Sequence, residues 1–133
     1  MKVELAFDLS LTDPTLFFTL DDATRGALDN TTFTLAGDVV VDVTEWTRDV
    51  STRRGRSQEL DKFTAGNASI TLDNRDRRFD PTYADGPYYG SILPGKQFNV
   101  LVDSQPLFRG NVEDWNLDYD VSGDSVASVS GVD

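Results

Sequence analysis

Short stretches in which apolar and polar residues alternate recur along the chain. The alternation is clearest in residues 2–10, 68–73 and 115–119, and in residues 39–43 every second position is a valine. A period of two is typical of a β-strand with one buried face. These four stretches therefore predict strands that each turn one side towards a common core.

A hairpin is predicted in the last third of the chain. Two β-prone runs, 97–102 and 107–112, flank the turn-forming residues 103–106. Gly110 lies inside the second run, where a glycine marks a bulge or the close approach of another backbone.

The register changes after the valine run. Trp46 and Val50 have the opposite parity to the alternating valines before them. This indicates either a bulge near Glu45 or packing of these two side chains on the other face.

The remaining segments complete an all-β pattern. Residues 15–20 and 31–35 are β-prone, 59–63 are compatible with one helical turn, and 79–94 are rich in Pro, Gly and Tyr, which predicts a long ordered loop. Many short strands at regular spacing are typical of all-β domains. We expect residues 1–133 to form one domain, an antiparallel β-barrel or β-sandwich with long ordered loops and at most one short helix.

The composition narrows the chemistry available to this fold. The sequence has no Cys and no His, so it lacks disulfides, thiolate nucleophiles, the usual general base and the commonest metal ligand. No apolar run approaches the ~20 residues of a membrane span, and no signal peptide is visible at the N-terminus. We expect a protein made in the cytoplasm that is not an enzyme and uses no cofactor.

Charge is distributed unevenly. The net charge is -11, yet nine of the twelve basic residues lie between positions 46 and 100. One interpretation is internal salt-bridging on a solvated surface, and the other is complementary contact between neighbouring copies in an assembly. The acidic total argues against recognition of a nucleic-acid sequence.

Single motifs raise three kinds of candidate site. The run Asp73-Asn74-Arg75-Asp76 resembles a calcium loop, but arginines follow where ligands are needed, so a turn with side-chain-to-backbone hydrogen bonds is favoured. Glu113 and Asp114 are neighbours and would point to opposite faces of a strand, which argues against a catalytic carboxylate pair. Aromatic residues favour a carbohydrate-binding β-sandwich module as the rival function; they are Trp46, Tyr83, Tyr88, Tyr89 and Trp115.

A longer pattern resembles a known family. It comprises Asp42-Val43-Thr44, Arg54-Gly55-Arg56, Glu59-Leu60, Phe63, Ala65-Gly66, Thr71-Leu72-Asp73-Asn74, Asp76, Phe79-Asp80-Pro81, Tyr88-Tyr89, Ile92-Leu93-Pro94-Gly95 and the run from Leu107 to Trp115. Taken together, these residues resemble the minor tail proteins of long-tailed bacteriophages, over most of the chain from about residue 30 onward.

The resemblance implies a virion component of the tail tip or baseplate hub, assembled in the host cytoplasm. Its expected partners are copies of itself in a symmetric ring, with a trimer favoured, the distal tail protein and the tail tube. Family members continue beyond this point, so the chain is either the N-terminal part of a longer hub protein or a reduced version. Our interface hypothesis names Arg53, Arg54, Arg56, Arg75, Arg77, Arg78, Tyr83, Tyr88 and Tyr89.

Overall fold

A computed structural model describes residues 1–8, 18–28, 32–33, 38–53 and 65–133. Over these ranges the chain forms seven strands and one 3-10 turn, Thr44–Trp46. The strands are β1 (Lys2–Asp8), β2 (Asp38–Asp42), β3 (Thr47–Arg53), β4 (Asn67–Asp73), β5 (Gln97–Val102), β6 (Gln105–Tyr119) and β7 (Ser125–Val132). The described part contains no helix long and apolar enough to cross a membrane.

The seven strands form one antiparallel sheet. Its order is β2-β1-β5-β6-β7-β4-β3, which makes β2 and β3 the two edges among the described residues. The expected all-β antiparallel fold is confirmed, although within the described residues the sheet is not closed into a barrel. The predicted segments 15–20 and 31–35 lie partly, and 59–63 wholly, outside those residues.

The sheet is nevertheless strongly curled. Residues 43–46 alone carry the chain from β2 at one edge to β3 at the other. A peptide chain spans at most ~3.6 Å per residue, so the two edges approach within roughly 20 Å at this corner. The 3-10 turn also explains why Trp46 and Val50 do not continue the alternation of the valines before them, because β2 ends before this turn and a new strand begins directly after it.

The core lies on one face of this curled sheet. Its strand residues are fully or almost fully buried: Val3, Leu5, Phe7, Ala68, Ile70, Leu72, Phe98, Val100, Phe108, Val112, Ala127 and Val129. The alternation predicted for 2–10 holds through the described β1, and that for 68–73 is confirmed over β4. The valine run behaves differently along its length, since Val43 is buried, Val41 packs against the core and Val39 is 36% exposed on the edge strand.

The hairpin of β5 and β6 is confirmed. Its two turn residues, Asp103 and Ser104, both have positive φ angles of 49° and 66°, as a tight type I′ hairpin turn requires. Strand β6 then continues to Tyr119, so the predicted run 115–119 is the second half of one bulged strand. A Cβ atom at Gly110 would lie 2.1 Å from the carbonyl oxygen of Val132, which confirms the close approach.

Candidate assembly surface

The loop between β4 and β5, residues 74–96, is held by successive backbone turns. The carbonyls of Asn74, Arg77, Asp80, Tyr83 and Gly86 each accept an N–H from the third residue onward, at 2.9 to 3.2 Å. Each turn begins at the residue where the preceding one ends. This segment is therefore an ordered loop, as its composition predicts.

Asn74 anchors the start of the loop. It is completely buried, its backbone N–H donates to the carbonyl of Ser125 at 2.9 Å, and its side-chain Oδ1 accepts the N–H of Phe79 at 2.8 Å. A buried amide needs such partners, because leaving its polar atoms unsatisfied costs free energy. Asn74 thereby ties the loop to the beginning of β7.

Asp80 anchors the loop to β6. Only 2% of Asp80 is exposed, and its carboxylate accepts hydrogen bonds from the Tyr119 hydroxyl at 2.6 Å, from Arg77 Nη2 at 2.8 Å and from Thr82. Burial alone would raise the pKa of Asp80. The hydrogen bonds from Thr82, Tyr119 and Arg77 outweigh it, and the net effect holds this pKa well below 3.8.

An aromatic cluster seats the loop on the sheet. Phe79 is fully buried, with ring centroids 5.8 Å from Tyr88, 6.2 Å from Trp46 and 6.4 Å from Trp115. Tyr88 also stacks on Phe7 of β1 at 4.2 Å. The loop thus covers part of the open core face with its own apolar side chains.

Aspartates orient the arginines at the start of the loop. The N–H of Arg75 donates to Asp73 Oδ1 at 3.1 Å and that of Arg78 to Asp76 Oδ1 at 3.2 Å, and each guanidinium returns to the same carboxylate. The predicted turn with side-chain-to-backbone hydrogen bonds is confirmed here. Two guanidinium groups also lie over aromatic rings, Arg77 at 4.6 Å from the Tyr83 centroid and Arg78 at 4.1 Å from that of Trp46.

Arg48 joins three parts of the fold. Its guanidinium contacts Asp124, in the turn between β6 and β7, at 2.6 Å and Asp73, at the end of β4, at 3.2 Å. The hydrogen bond to Asp124 is the main cause that raises the pKa of Arg48, while hydrogen bonds from Arg75 chiefly lower the pKa of Asp73. These groups line a shallow depression with Arg75, Ser122 and Gly123.

The structure does not bring all the predicted interface residues together on one surface. Arg75, Arg77, Arg78 and Tyr83 lie together on the loop. Arg53 is the last residue of β3 and pairs in register with Asn67, the first residue of β4. It therefore lies roughly 20 Å from the loop arginines, which follow the other end of β4, at ~3.3 Å per residue. Arg54 and Arg56 lie outside the described residues.

The predicted tyrosines also differ from one another. Tyr88 is half-buried in the aromatic cluster, whereas Tyr89 is 46% exposed. Trp46 and Trp115, which formed part of the carbohydrate-binding alternative, are packed against the core. Tyr89 and the half-buried Tyr83 are the members of that aromatic set outside the core cluster.

Sequence reasoning did not assign roles to Asn74, Asp80 and Arg48. A recurring local signal for the turns of the loop was present, because an aspartate two residues before Arg or Thr accepts the N–H of that residue at Asp73, Asp76 and Asp80. No local signal identifies Arg48, since its partner Asp124 is far away in the sequence. Such a contact follows only from the strand order.

Comparison with known proteins finds similarity among solved structures. No family model matches the chain, and no curated protein sequence matches it. Among solved structures, the chain is similar to the 43 kDa tail protein of prophage MuSo2 from Shewanella oneidensis, with 20% sequence identity and a TM-score of 0.43. The match covers 71% of this chain and 26% of that protein, so the chain spans about a quarter of the length of the protein it matches.

Proposed function

We propose that this chain is a structural component of a bacteriophage tail tip or baseplate. In this role it is a hub-like subunit that forms a symmetric ring and connects the tail tube and distal tail protein to more distal parts. The observation that carries the proposal is the long residue pattern of minor tail proteins. Several of its members, among them Asn74, Phe79 and Asp80, are the residues that build and anchor the 74–96 loop.

The loop has properties that suit a protein contact. Its backbone turns, its two anchors and the paired arginines hold side chains in defined positions before any partner arrives. Such preorganisation reduces the conformational entropy lost on binding. Arg75 and Tyr89 are exposed on this rigid support, and both residue types are common in protein interfaces.

The first test concerns the virion itself. Mass spectrometry of purified phage particles should find the chain in a fixed ratio to the other tail proteins, and labelled antibody should bind at the tail tip. A chain that is absent from particles, or that binds glycans as an isolated monomer instead, would overturn the proposal.

A charge-reversal variant tests the arginine hypothesis. Changing Arg53, Arg54 and Arg56 together to Glu should leave the fold intact, as checked by circular dichroism, and block assembly of the tail. The matched control changes the same three residues to Lys, which retains the charge. Normal particles from the Glu variant would exclude these arginines as an assembly contact.

A further inference from the structure

Strand β2 has one backbone edge that faces away from its neighbour β1, with which it pairs over its whole length. The same ladder continues beyond β2, since the N–H of Val43 donates to the carbonyl of Val3 at 2.9 Å. Hydrogen-bonded and non-hydrogen-bonded pairs alternate along an antiparallel ladder. The odd-numbered residues of β2 therefore bond to β1, whereas Asp38, Val40 and Asp42 direct their backbone N–H and C=O groups outward. These outward groups have no backbone partner among the described residues.

The side chains along this edge are apolar in the middle. Val40 is 50% exposed on the outer face of the sheet, and Val39 is 36% exposed on the core face. Val41 lies on the same face as Val39 and packs against the core. A strand added beside β2 covers these valines and pairs the outward backbone groups at the same time.

The other described edge of the sheet, β3, is less suited to pairing. It carries the exposed charged residues Arg48, Asp49 and Arg53, and its pairing with β4 shifts register between Thr47 and Asp49. Charged side chains and bulges are features that keep an edge strand from pairing further. In contrast, β2 has three successive valines and an unbroken register. The inference therefore concerns β2 alone.

The outer face of β1 and β2 has an excess of negative charge. Each aspartate at an end of β2 has a lysine nearby, with Lys96 Nζ 2.6 Å from Asp38 Oδ1 and Lys2 Nζ 3.7 Å from Asp42 Oδ2. The same two lysines also contact the carboxylates of β1. Two lysines thus face four carboxylates, which are Glu4, Asp8, Asp38 and Asp42. Basic side chains on an added strand are favoured beside the two aspartates of β2.

A second copy of β2 fits this edge poorly. In the antiparallel register that pairs all five residues of two copies, Asp38 of each copy lies opposite Asp42 of the other. Like charges directly opposite each other destabilise a strand pair, whereas opposite charges stabilise it. The charges at the ends of β2 therefore select a strand of different sequence, with Lys or Arg at these two positions.

We propose that β2 is a docking edge for an extended, basic segment of another protein, which adds an antiparallel strand to the sheet. The central residue of this segment exchanges both backbone hydrogen bonds with Val40. Its two neighbours are apolar and lie beside Val39 and Val41, and the next residues on either side are Lys or Arg beside Asp38 and Asp42. In strand addition, main-chain hydrogen bonds give affinity and alternate side chains give specificity. The inference goes beyond the proposed function and does not depend on it.

Amide exchange measured by NMR on the whole chain tests this inference, with the synthetic peptide acetyl-Lys-Val-Thr-Val-Lys-amide as the probe. In the free protein, the outward N–H of Val40 should exchange faster than the N–H of Val41, which bonds to β1. A titration gives the Kd of the peptide. At ten times this concentration, exchange at Val40 should slow by about 10-fold, because roughly nine tenths of the edges are then paired.

Two control peptides separate backbone pairing from attraction between charges. Lys-Val-Pro-Val-Lys has the same charge but lacks the central N–H that the carbonyl of Val40 accepts, so it should bind at least about 5-fold more weakly, as expected for one lost hydrogen bond. Glu-Val-Thr-Val-Glu keeps the N–H and reverses the charge, and it should also bind more weakly. Equal binding of either control peptide, or unchanged exchange at Val40 with the first peptide, would overturn the inference.

A pair of variants tests the same hydrogen bond from the side of the protein. Val40→Pro removes the outward N–H and leaves the bonds between β2 and β1, so it should lose binding of the lysine peptide. Val40→Thr retains the N–H and should bind as the wild type does. If Val40→Pro does not fold, the proline peptide tests this contact on the wild-type protein. The particle test of the proposed function is independent of all these results.

Discussion

At the scale of single residues, Asp80 shows how hydrogen bonds stabilise a buried carboxylate. Its carboxylate is almost fully buried, and three neighbouring side chains donate hydrogen bonds to its two oxygens. Hydrogen bonds to a charged acceptor are among the stronger polar contacts in proteins. Asp80 therefore stabilises the loop only while it is ionised.

The pH dependence of stability follows from this arrangement. Since the pKa of Asp80 is lower in the folded state than in the unfolded chain, its contribution is complete above about pH 4 and is lost as the pH falls through the folded pKa. Asp80→Asn should lower the free energy of unfolding at pH 7 by about 1–3 kcal/mol and flatten its decline between pH 5 and pH 2. Denaturant unfolding at a series of pH values measures both effects.

A matched variant controls for the loss of charge alone. Asp85→Asn removes a carboxylate from an exposed position of the same loop and should change the free energy of unfolding at pH 7 by less than ~0.5 kcal/mol. An acid profile of Asp80→Asn as steep as that of the wild type would show that other carboxylates carry the dependence. Asp22, whose pKa is lowered to about 2 mainly by hydrogen bonds from the backbone of Arg25 and Thr24, is one such group.

At the scale of elements, the 74–96 loop takes the place of a further layer over the core. Phe79 is the centre of this covering, because it contacts aromatic rings from the sheet, the 3-10 turn and the loop itself. Phe79→Ala should lower the free energy of unfolding by about 3–5 kcal/mol, through lost burial and the cavity that remains. Thermal and denaturant unfolding provide the measurement.

Tyr89→Ala is the comparison for Phe79→Ala. Tyr89 lies on the same loop and is 46% exposed, so its truncation should cost less than ~1 kcal/mol. If the two variants were destabilised equally, the loop would not depend on Phe79 for its attachment. A Phe79→Ala variant close to the wild type in stability would likewise contradict the packing described above.

The elements also show which features a sequence pattern can predict. Strand β4 was predictable because its alternation places Ala68, Ile70 and Leu72 on one face. The β5–β6 hairpin was predictable because its turn residues lie directly between the two strands in the sequence. The exposure of Val39 was not predictable, because periodicity indicates which side of a strand is apolar but not whether the strand lies at an edge of the sheet. Edge position depends on the strand order, which is a property of the whole chain.

The candidate surface likewise combines local features, which a sequence pattern can predict, with contacts between distant residues, which it cannot. The turns around Asp73 and Asp76 were predictable from adjacent residues. In contrast, the burial of Tyr88 between Phe7 and Phe79 joins residues from distant parts of the sequence. A charge run likewise cannot reveal that Arg53, at the end of β3, and Arg75, just after β4, lie at opposite ends of the β3–β4 pair, because this follows only from the pairing of the two strands.

At the scale of the whole molecule, the sheet has a well-supported centre and two less supported edges. Strand β7 is paired along its length, with β4 on one side and β6 on the other, and every second residue is buried. Strand β2 has one neighbour among the described residues and no buried residue. Local opening should therefore require more free energy at the centre than at this edge.

Amide hydrogen exchange tests this gradient directly. The amides of β7 should exchange slowest, at rates set by global unfolding. The amides of β2 should exchange at least ~10-fold faster, because an edge strand opens without disrupting the remaining ladder. Mass spectrometry of peptides covering Asp38–Asp42 and Ser125–Val132 provides the comparison. Equal protection of the two strands would mean that the outer edge of β2 is itself covered, and the position of β2 as a free edge would then be wrong.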